Sequence, residues 1–311
     1  MKRRVAAHLP PAAAGQTLLD YLSSRFAYHT FEEWQSKIRS GEIALNGNIV
    51  ADTQTILQEN MLLEYFPANL IEPQVNSGYR IVFEDEYLLV IDKPGNLPVH
   101  PAGPYFSNTL WAMLADSGYG KVHLVNRLDR ETSGLLIAAR HGNIAGEISK
   151  SFAEMEKCYY VLVYGVFAGE YHAQGFLQHD TESAIRKKQK FVLTPDGSAE
   201  KAQSAETLFT PLQNNGKFTL LQAKLQTGRM HQIRATLHAL GYPVVGDKLY
   251  GLDEQFYRRF ALDTLSAADK QTLCLDRQAL HCCKLSFVHP VTDEVLSFSS
   301  DLPAEIAALL Q

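Results

Sequence analysis

An α+β chain in two parts is what the sequence predicts, and three observations carry that reading. Some stretches repeat apolar residues at helical spacing, such as Leu18, Leu19 and Leu22 or Ile144, Ile148 and Phe152. Others, such as Tyr159 to Tyr164 and Leu135 to Ala139, are β-branched, aromatic or aliphatic runs of strand length. Between the two parts, Pro67-Ala-Asn-Leu-Ile-Glu-Pro-Gln-Val-Asn-Ser-Gly78 holds two prolines and few core signals, which marks a linker and a boundary near residue 74. With 311 residues and 46% hydrophobic content the chain can bury a full core.

The chain starts with the basic Met1-Lys-Arg-Arg, but the apolar run that follows is cut by His8, Pro10 and Pro11, so no signal peptide is expected. No apolar stretch is long enough to span a membrane. The formal net charge of −5 excludes a globally basic nucleic-acid coat and confines any nucleic-acid contact to a local patch. Cys158, Cys274, Cys282 and Cys283 contain no Cys-x-x-Cys pair, which argues against a zinc site or disulfide framework and for a reducing cytoplasm.

Residues from about 15 to 66 form the first unit. A helix carries Leu18, Leu19 and Leu22, and a second runs from about Phe31 to Arg39 with Trp34 and Ile38. Ile43 to Leu45 is a short strand entering an Asn46-Gly47 turn, and Met61 to Phe66 pairs back as another strand.

In the second part, Tyr79 to Phe83 and Leu88 to Ile91 are strands joined by the acidic turn Glu84-Asp-Glu86. Lys93-Pro-Gly-Asn-Leu-Pro-Val-His-Pro101 leaves them as a rigid loop in which Lys93 either touches a phosphate or is solvated. Ser107 or Asn108 can cap a helix through Leu110, Trp111 and Leu114, and Asn143 to Glu154 is an amphipathic helix. Lys157 to Gly165 is a strand on which Tyr159 and Tyr160 face opposite ways. Ile185-Arg-Lys-Lys-Gln-Lys190 is the densest basic run and sits in a loop between strands. Phe218 to Leu225 is a strand leading through Gln226-Thr-Gly-Arg-Met-His231 into a helix with Ile233, Leu237 and Leu240 on one face, stopped by Gly241 and Pro243. About residues 252–276, holding Tyr257-Arg-Arg-Phe260, the sequence says little. Leu280 to Val288 and Glu294 to Phe298 form a hairpin, and Leu302 to Leu310 a closing helix.

The segment that organises the chemistry is Arg127-Leu-Asp-Arg-Glu-Thr-Ser-Gly134, running into the apolar strand Leu135 to Ala139. Asp129 lies between two arginines and just outside a buried strand, so cations can hold it ionised while the wall excludes water.

This segment resembles the signature of the RluA family of RNA pseudouridine synthases, whose aspartate is the catalytic nucleophile. The family has a histidine before the arginine where this chain has Asn126. Lys157-Cys-Tyr159 resembles the family's Lys-x-Tyr motif. Leu225-x-Thr-Gly-Arg-x-His-Gln-Ile-Arg234 followed by Gly246-Asp-x-x-Tyr-Gly251 resembles its third motif, and the 280–290 region its closing strands. The resemblance covers roughly residues 79 to 300. It implies an α+β catalytic domain over 74–311, built on a large mixed, mainly antiparallel sheet with a central cleft. Asp129, Tyr159 and Arg229 are the implied catalytic residues, with Arg229 pairing with Asp129.

Arg127, which by the same resemblance would replace the extruded base, Arg130, Lys187 and Lys188 are the candidate RNA contacts. The helix pair and Asn-Gly strand of residues 1–73 resemble the alpha-L RNA-binding motif, although the second helix opens with acidic Glu32-Glu33. Together these imply uridine isomerisation by a cytoplasmic monomer acting without metal or small-molecule cofactor, on large-subunit ribosomal RNA ahead of transfer RNA. A phosphate loop, dinucleotide fingerprint and zinc constellation are all missing from the sequence.

Two other classes compete. Asp129 and Glu131 could be a glycosidase pair, but flanking arginines would hold both ionised and remove the general acid. A non-catalytic RNA-binding or assembly factor would be expected to have lost one of Asp129, Tyr159 and Arg229.

Overall fold

The structure is a computed structural model that describes residues 5–26, 29–67, 72–195 and 202–311. The basic residues 1–4 and positions 68–71 of the expected linker lie outside the described residues. The chain divides into two compact units, Met1–Glu72 and Pro73–Gln311.

The first unit contains β1 (Val5–His8), α1 (Leu18–Arg25), α2 (Phe31–Arg39), β2 (Ile43–Leu45), β3 (Asn48–Ile49) and β4 (Leu62–Tyr65). Thr17 caps α1 by accepting from the Asp20 amide, and Thr30 with Glu33 forms a capping box at α2. At the β2–β3 turn Asn46 and Gly47 have φ of 51° and 81°, the left-handed pair that a two-residue hairpin requires. The antiparallel sheet order is β1-β4-β2-β3, and its helices bury Leu18, Leu22, Trp34 and Ile38 against Ile43. Strand β1 went unread in the sequence because all four of its residues are exposed and show no alternation.

The second unit contains β5 (Arg80–Glu84), β6 (Leu88–Lys93), α3 (Leu110–Leu114), β7 (His123–Leu124), β8 (Ser133–Ala139), α4 (Gly142–Lys150) and β9 (Glu156–Tyr164). These are followed by β10 (Tyr171–His179), β11 (Gln189–Val192), β12 (Gln203–Asn214), β13 (Phe218–Leu225), α5 (Gln232–Ala239), α6 (Gln255–Ala261) and α7 (Ala267–Leu273). The described chain closes with β14 (Leu280–Val288), β15 (Val295–Ser299) and α8 (Ala304–Ala307). One sheet runs β11-β10-β12-β13-β9-β14-β8-β6-β5, with β15 on β14 and β7 on β8. Every strand pairing is antiparallel except β14 with β8. The fold is therefore α+β with a large mixed, mainly antiparallel sheet.

That parallel junction fixes the strand that follows Asp129. Ser133 and Gly134 register with His281 and Cys282, and Ser133 Oγ lies 2.9 Å from His281 Nδ1. Gly134 has φ of 104°, and a Cβ there would sit 2.2 Å from the Cys282 carbonyl oxygen, so only glycine fits. Thr109 caps α3, in place of the expected Ser107 or Asn108.

Candidate active site

Asp129 projects from the loop between β7 and β8. The Thr132 amide donates to its carbonyl at 3.1 Å. Beneath the loop Lys93 is fully buried and its Nζ donates to the carbonyls of Pro94 (2.8 Å), Leu97 (2.9 Å) and Arg130 (3.3 Å). It is neither a phosphate contact nor a solvated lysine, the two readings open in the sequence, but a tie between the Pro/Gly loop and the Asp129 loop. Burial, reinforced by Arg277, pulls this ammonium down to about 7.

The cation facing Asp129 is Arg234. Its Nη1 donates to Asp129 Oδ2 at 2.8 Å, while Nε and Nη2 donate to Asp247 Oδ2 and Oδ1 at 2.6 and 2.8 Å. Asp247 is fully buried and also accepts from the Leu249 and Tyr250 amides at 2.9 Å, so the guanidinium is clamped before it reaches Asp129.

The expected Asp129–Arg229 pairing is therefore corrected. Arg229 precedes α5, is exposed, and donates through Nε to the Ser204 carbonyl at 3.2 Å. The Gln232 side chain pins that turn, accepting from the Arg229 amide (3.0 Å) and from Thr227 Oγ1 (2.8 Å). Arg234 sits in the first turn of α5, where side chains lean back towards the helix start, and it lies in a run, Gln232 to Leu237, that is buried throughout. An arginine inside an all-buried helical run must find carboxylates, and Arg234 finds two; the burial of that run is set by tertiary packing, so the sequence alone carried no signal that separated it from Arg229.

Burial pushes the Asp129 carboxyl up, but Arg234, helped by His231 and by Gln278 Nε2 at 3.3 Å, outweighs it and holds the group down at about 2. His231 has the left-handed φ of 57°, and its Nε2 stands 3.7 Å from Asp129 Oδ1. Its Nδ1 meets the Tyr250 hydroxyl at 2.9 Å, and that hydroxyl accepts from the Gln189 amide at 2.8 Å. Burial lowers His231 to about 4, so it is neutral at pH 7 and Arg234 supplies the charge.

Beside Asp129 lies a cavity of about 180 Å³, lined among others by Arg127, Leu128, Tyr159, Leu225, Ile233 and Leu280. Tyr159 is buried at its wall. Burial, with the Cys282 thiol adjoining, raises the phenol well above its ordinary range, so the hydroxyl is neutral. Tyr160 is half-buried and does not line this cavity. Asp129 and Arg127 also border a larger cleft of about 1860 Å³, shared with Lys187, Met230 and Tyr257. The pair thus offers an ionised, clamped carboxylate between a small chamber, lined by Arg229 and other polar groups as well as by apolar side chains, and an open groove.

The expected basic contacts divide. Arg127 is exposed at both cavities. Arg130 lines the cleft, pairs with Glu131 at 3.0 Å and lies 4.8 Å over the Phe260 ring. Lys187 is exposed in the cleft. Lys188 is corrected: it is buried, 2.8 Å from Glu254 and 3.7 Å from Asp180, because β11 begins within the basic run and turns it inward, so it is not available to a phosphate. Glu131 forms an ion pair with Lys248 at 3.0 Å. Among the described residues no group of three or more His, Cys, Asp or Glu is placed to hold a metal, and no helix is long and apolar enough to cross a membrane.

A family model described as RNA pseudouridylate synthase matches residues 87–239, which contain Asp129, Tyr159 and Arg234. The ribosomal large subunit pseudouridine synthase D of Zymomonas mobilis is 30% identical over 251 residues, 77% of this chain and 74% of that protein. The mitochondrial tRNA pseudouridine(32) synthase of Saccharomyces cerevisiae is 31% identical over 246 residues, 76% of this chain and 51% of that one. Among solved structures, human RNA Pseudouridylate Synthase Domain Containing 1 shares the fold, with a TM-score of 0.57 at 22% identity over 74% of this chain and 86% of that one. The architecture, the motifs and these likenesses agree: the chain belongs to the RluA family of RNA pseudouridine synthases, isomerases that convert uridine in RNA to pseudouridine.

Proposed function

We propose that this enzyme acts on specific uridines of large-subunit ribosomal RNA, with Asp129 as the carboxylate that engages the ribose. The observation that carries the reading is the Arg234–Asp129 contact of 2.8 Å at the mouth of a chamber walled by Tyr159. The target base leaves its stack, at a cost of about a few kcal/mol, and Arg127 takes its place. The bond from ribose C1′ to N1 breaks, the base turns within the chamber, and C1′ rejoins it at C5. The C5 hydrogen leaves as a proton and N1 gains one. Attack on C1′ and removal of a ribose proton both need the same ionised, poorly hydrated carboxylate. A neutral, buried phenol is a poor base, so the geometry favours Tyr159 as a packing surface for the detached base over a proton acceptor.

The ribosomal target is supported by the name of the Zymomonas relative. The yeast relative's name supports transfer RNA as the second reading. The first unit, with two capped helices and an Asn46-Gly47 hairpin, supports an alpha-L type RNA-binding role. The enzyme works in the cytoplasm as a monomer without a small-molecule cofactor. Pseudouridine mapping in ribosomal and transfer RNA from cells with and without this gene tests the substrate. Asp129→Asn tests the mechanism: it abolishes modification while folding and RNA binding persist. Wild-type rates from that variant would overturn the role of Asp129.

A further inference from the structure

The 252–276 excursion, about which the sequence says little, is pinned to the basic run. Glu254 accepts from Lys188 Nζ and from Ser183 Oγ, both at 2.8 Å, and Arg259 makes two bonds to Asp269 at 2.9 and 3.0 Å. Phe260 is flanked by Arg130 at 4.8 Å and Lys248 at 4.9 Å. On the same helix, α6, Tyr257 packs partly against the core, and the Lys187 ammonium lies 4.3 Å from its ring centroid. Tyr257 and Lys187 both border the cleft that contains Asp129. Lys187 is near enough to His231, itself 3.7 Å from Asp129, for its charge to bear on that imidazole.

An exposed lysine on one phenol ring gains little and has four rotatable bonds with which to leave. A nucleobase on the same ring gains more and does so whatever its identity, because every base has a π-face. We propose that Tyr257 and Lys187 form a nucleotide site beside the reacting uridine, taking an unpaired neighbouring nucleotide whose base stacks on the Tyr257 ring as Lys187 moves to its phosphate. This rests on the RNA-modifying reading above and adds to it that the substrate strand is unpaired next to its target. The ion pairs around α6 hold the platform rigid, so it needs no ordering when RNA arrives.

The test is tritium release from total RNA labelled with 5-tritiated uridine in cells lacking the gene, which contains the target whichever RNA carries it. Full-length wild type, Tyr257→Leu, Tyr257→Phe and Lys187→Ala are compared. Tyr257→Leu keeps apolar packing but removes the ring, and it raises the half-saturating RNA concentration about tenfold while the maximal rate changes less than about twofold. Tyr257→Phe behaves as wild type. Lys187→Ala weakens binding and lowers the salt-dependence slope by about one phosphate contact. Tyr257→Leu saturating at the wild-type concentration, or losing maximal rate alone, overturns the proposal. If wild type releases no tritium, the functional reading itself fails.

Discussion

Replacing Arg234 with glutamine removes the charge that the buried Asp247 and the partly buried Asp129 share. Its guanidinium makes hydrogen bonds of 2.6 and 2.8 Å to Asp247 and 2.8 Å to Asp129. Asp129 is held at about 2 against an ordinary 3.8. That depression stabilises the fold by roughly 2 kcal/mol, fully present above pH 4 and lost as pH falls towards 2. Without the guanidinium, burial prevails and the carboxyl rises above its ordinary value. Leaving a buried ion pair half-made costs about 3–5 kcal/mol, which lowers Tm by on the order of 10 °C.

The pseudouridine-forming rate falls about a hundredfold or more, since Asp129 loses both its orientation and its charge partner. An acid limb also enters the pH profile of the variant between about pH 4 and 7, where this group leaves the wild type flat. Single-turnover tritium release from pH 4.5 to 8.5, run beside calorimetry, reads both effects. The double variant Arg234→Gln/Asp247→Asn separates them: it regains part of the stability, because one unpaired carboxylate is gone, and none of the rate. A wild-type rate or an unchanged pH profile in Arg234→Gln would refute the reasoning.

Arg229→Ala, by contrast, loses less activity than the Arg234 variant, because Arg229 lines the small cavity but its side-chain hydrogen bond goes to the Ser204 carbonyl and not to Asp129; a loss matching that of the Arg234 variant would reverse the assignment. Tyr159→Ala lowers the maximal rate by enlarging the chamber while Tyr160→Phe does not, and steady-state kinetics of the pair checks which face of β9 matters. Gly134→Ala, forced to place a Cβ 2.2 Å from the Cys282 oxygen, destabilises the protein by more than about 3 kcal/mol in urea unfolding.

What the sequence made legible was local. Arg127 to Gly134 announced a carboxylate at the edge of a buried strand, and the structure has Asp129 there beside β8. Its partner was harder, because two arginines five positions apart share one motif and only the start of α5 decides which is carried inward. Arg127 and Arg130, the neighbours in sequence, are not what faces the carboxylate; the contact comes from 105 residues away. Strands β10 and β12 went unread for a related reason. Gly175 interrupts the first, where a Cβ would come within 2.5 Å of the Val192 carbonyl. Pro211 stands beside a bulge in the second, and proline in a run argues against a strand until the bulge is seen.

The placement of β14 between β9 and β8 has a further consequence. One edge of β8 pairs with β6 along its length, but its other edge, at Ser133 and Gly134, is covered by His281 and Cys282, 148 positions after Ser133, and Tyr159 lies on β9 beyond β14. β14 is thus the strand through which the two wings of the sheet are hydrogen-bonded to one another. Loss of residues 280–288 would therefore remove the hydrogen-bonded link between the strand that follows Asp129 and the strand that carries Tyr159.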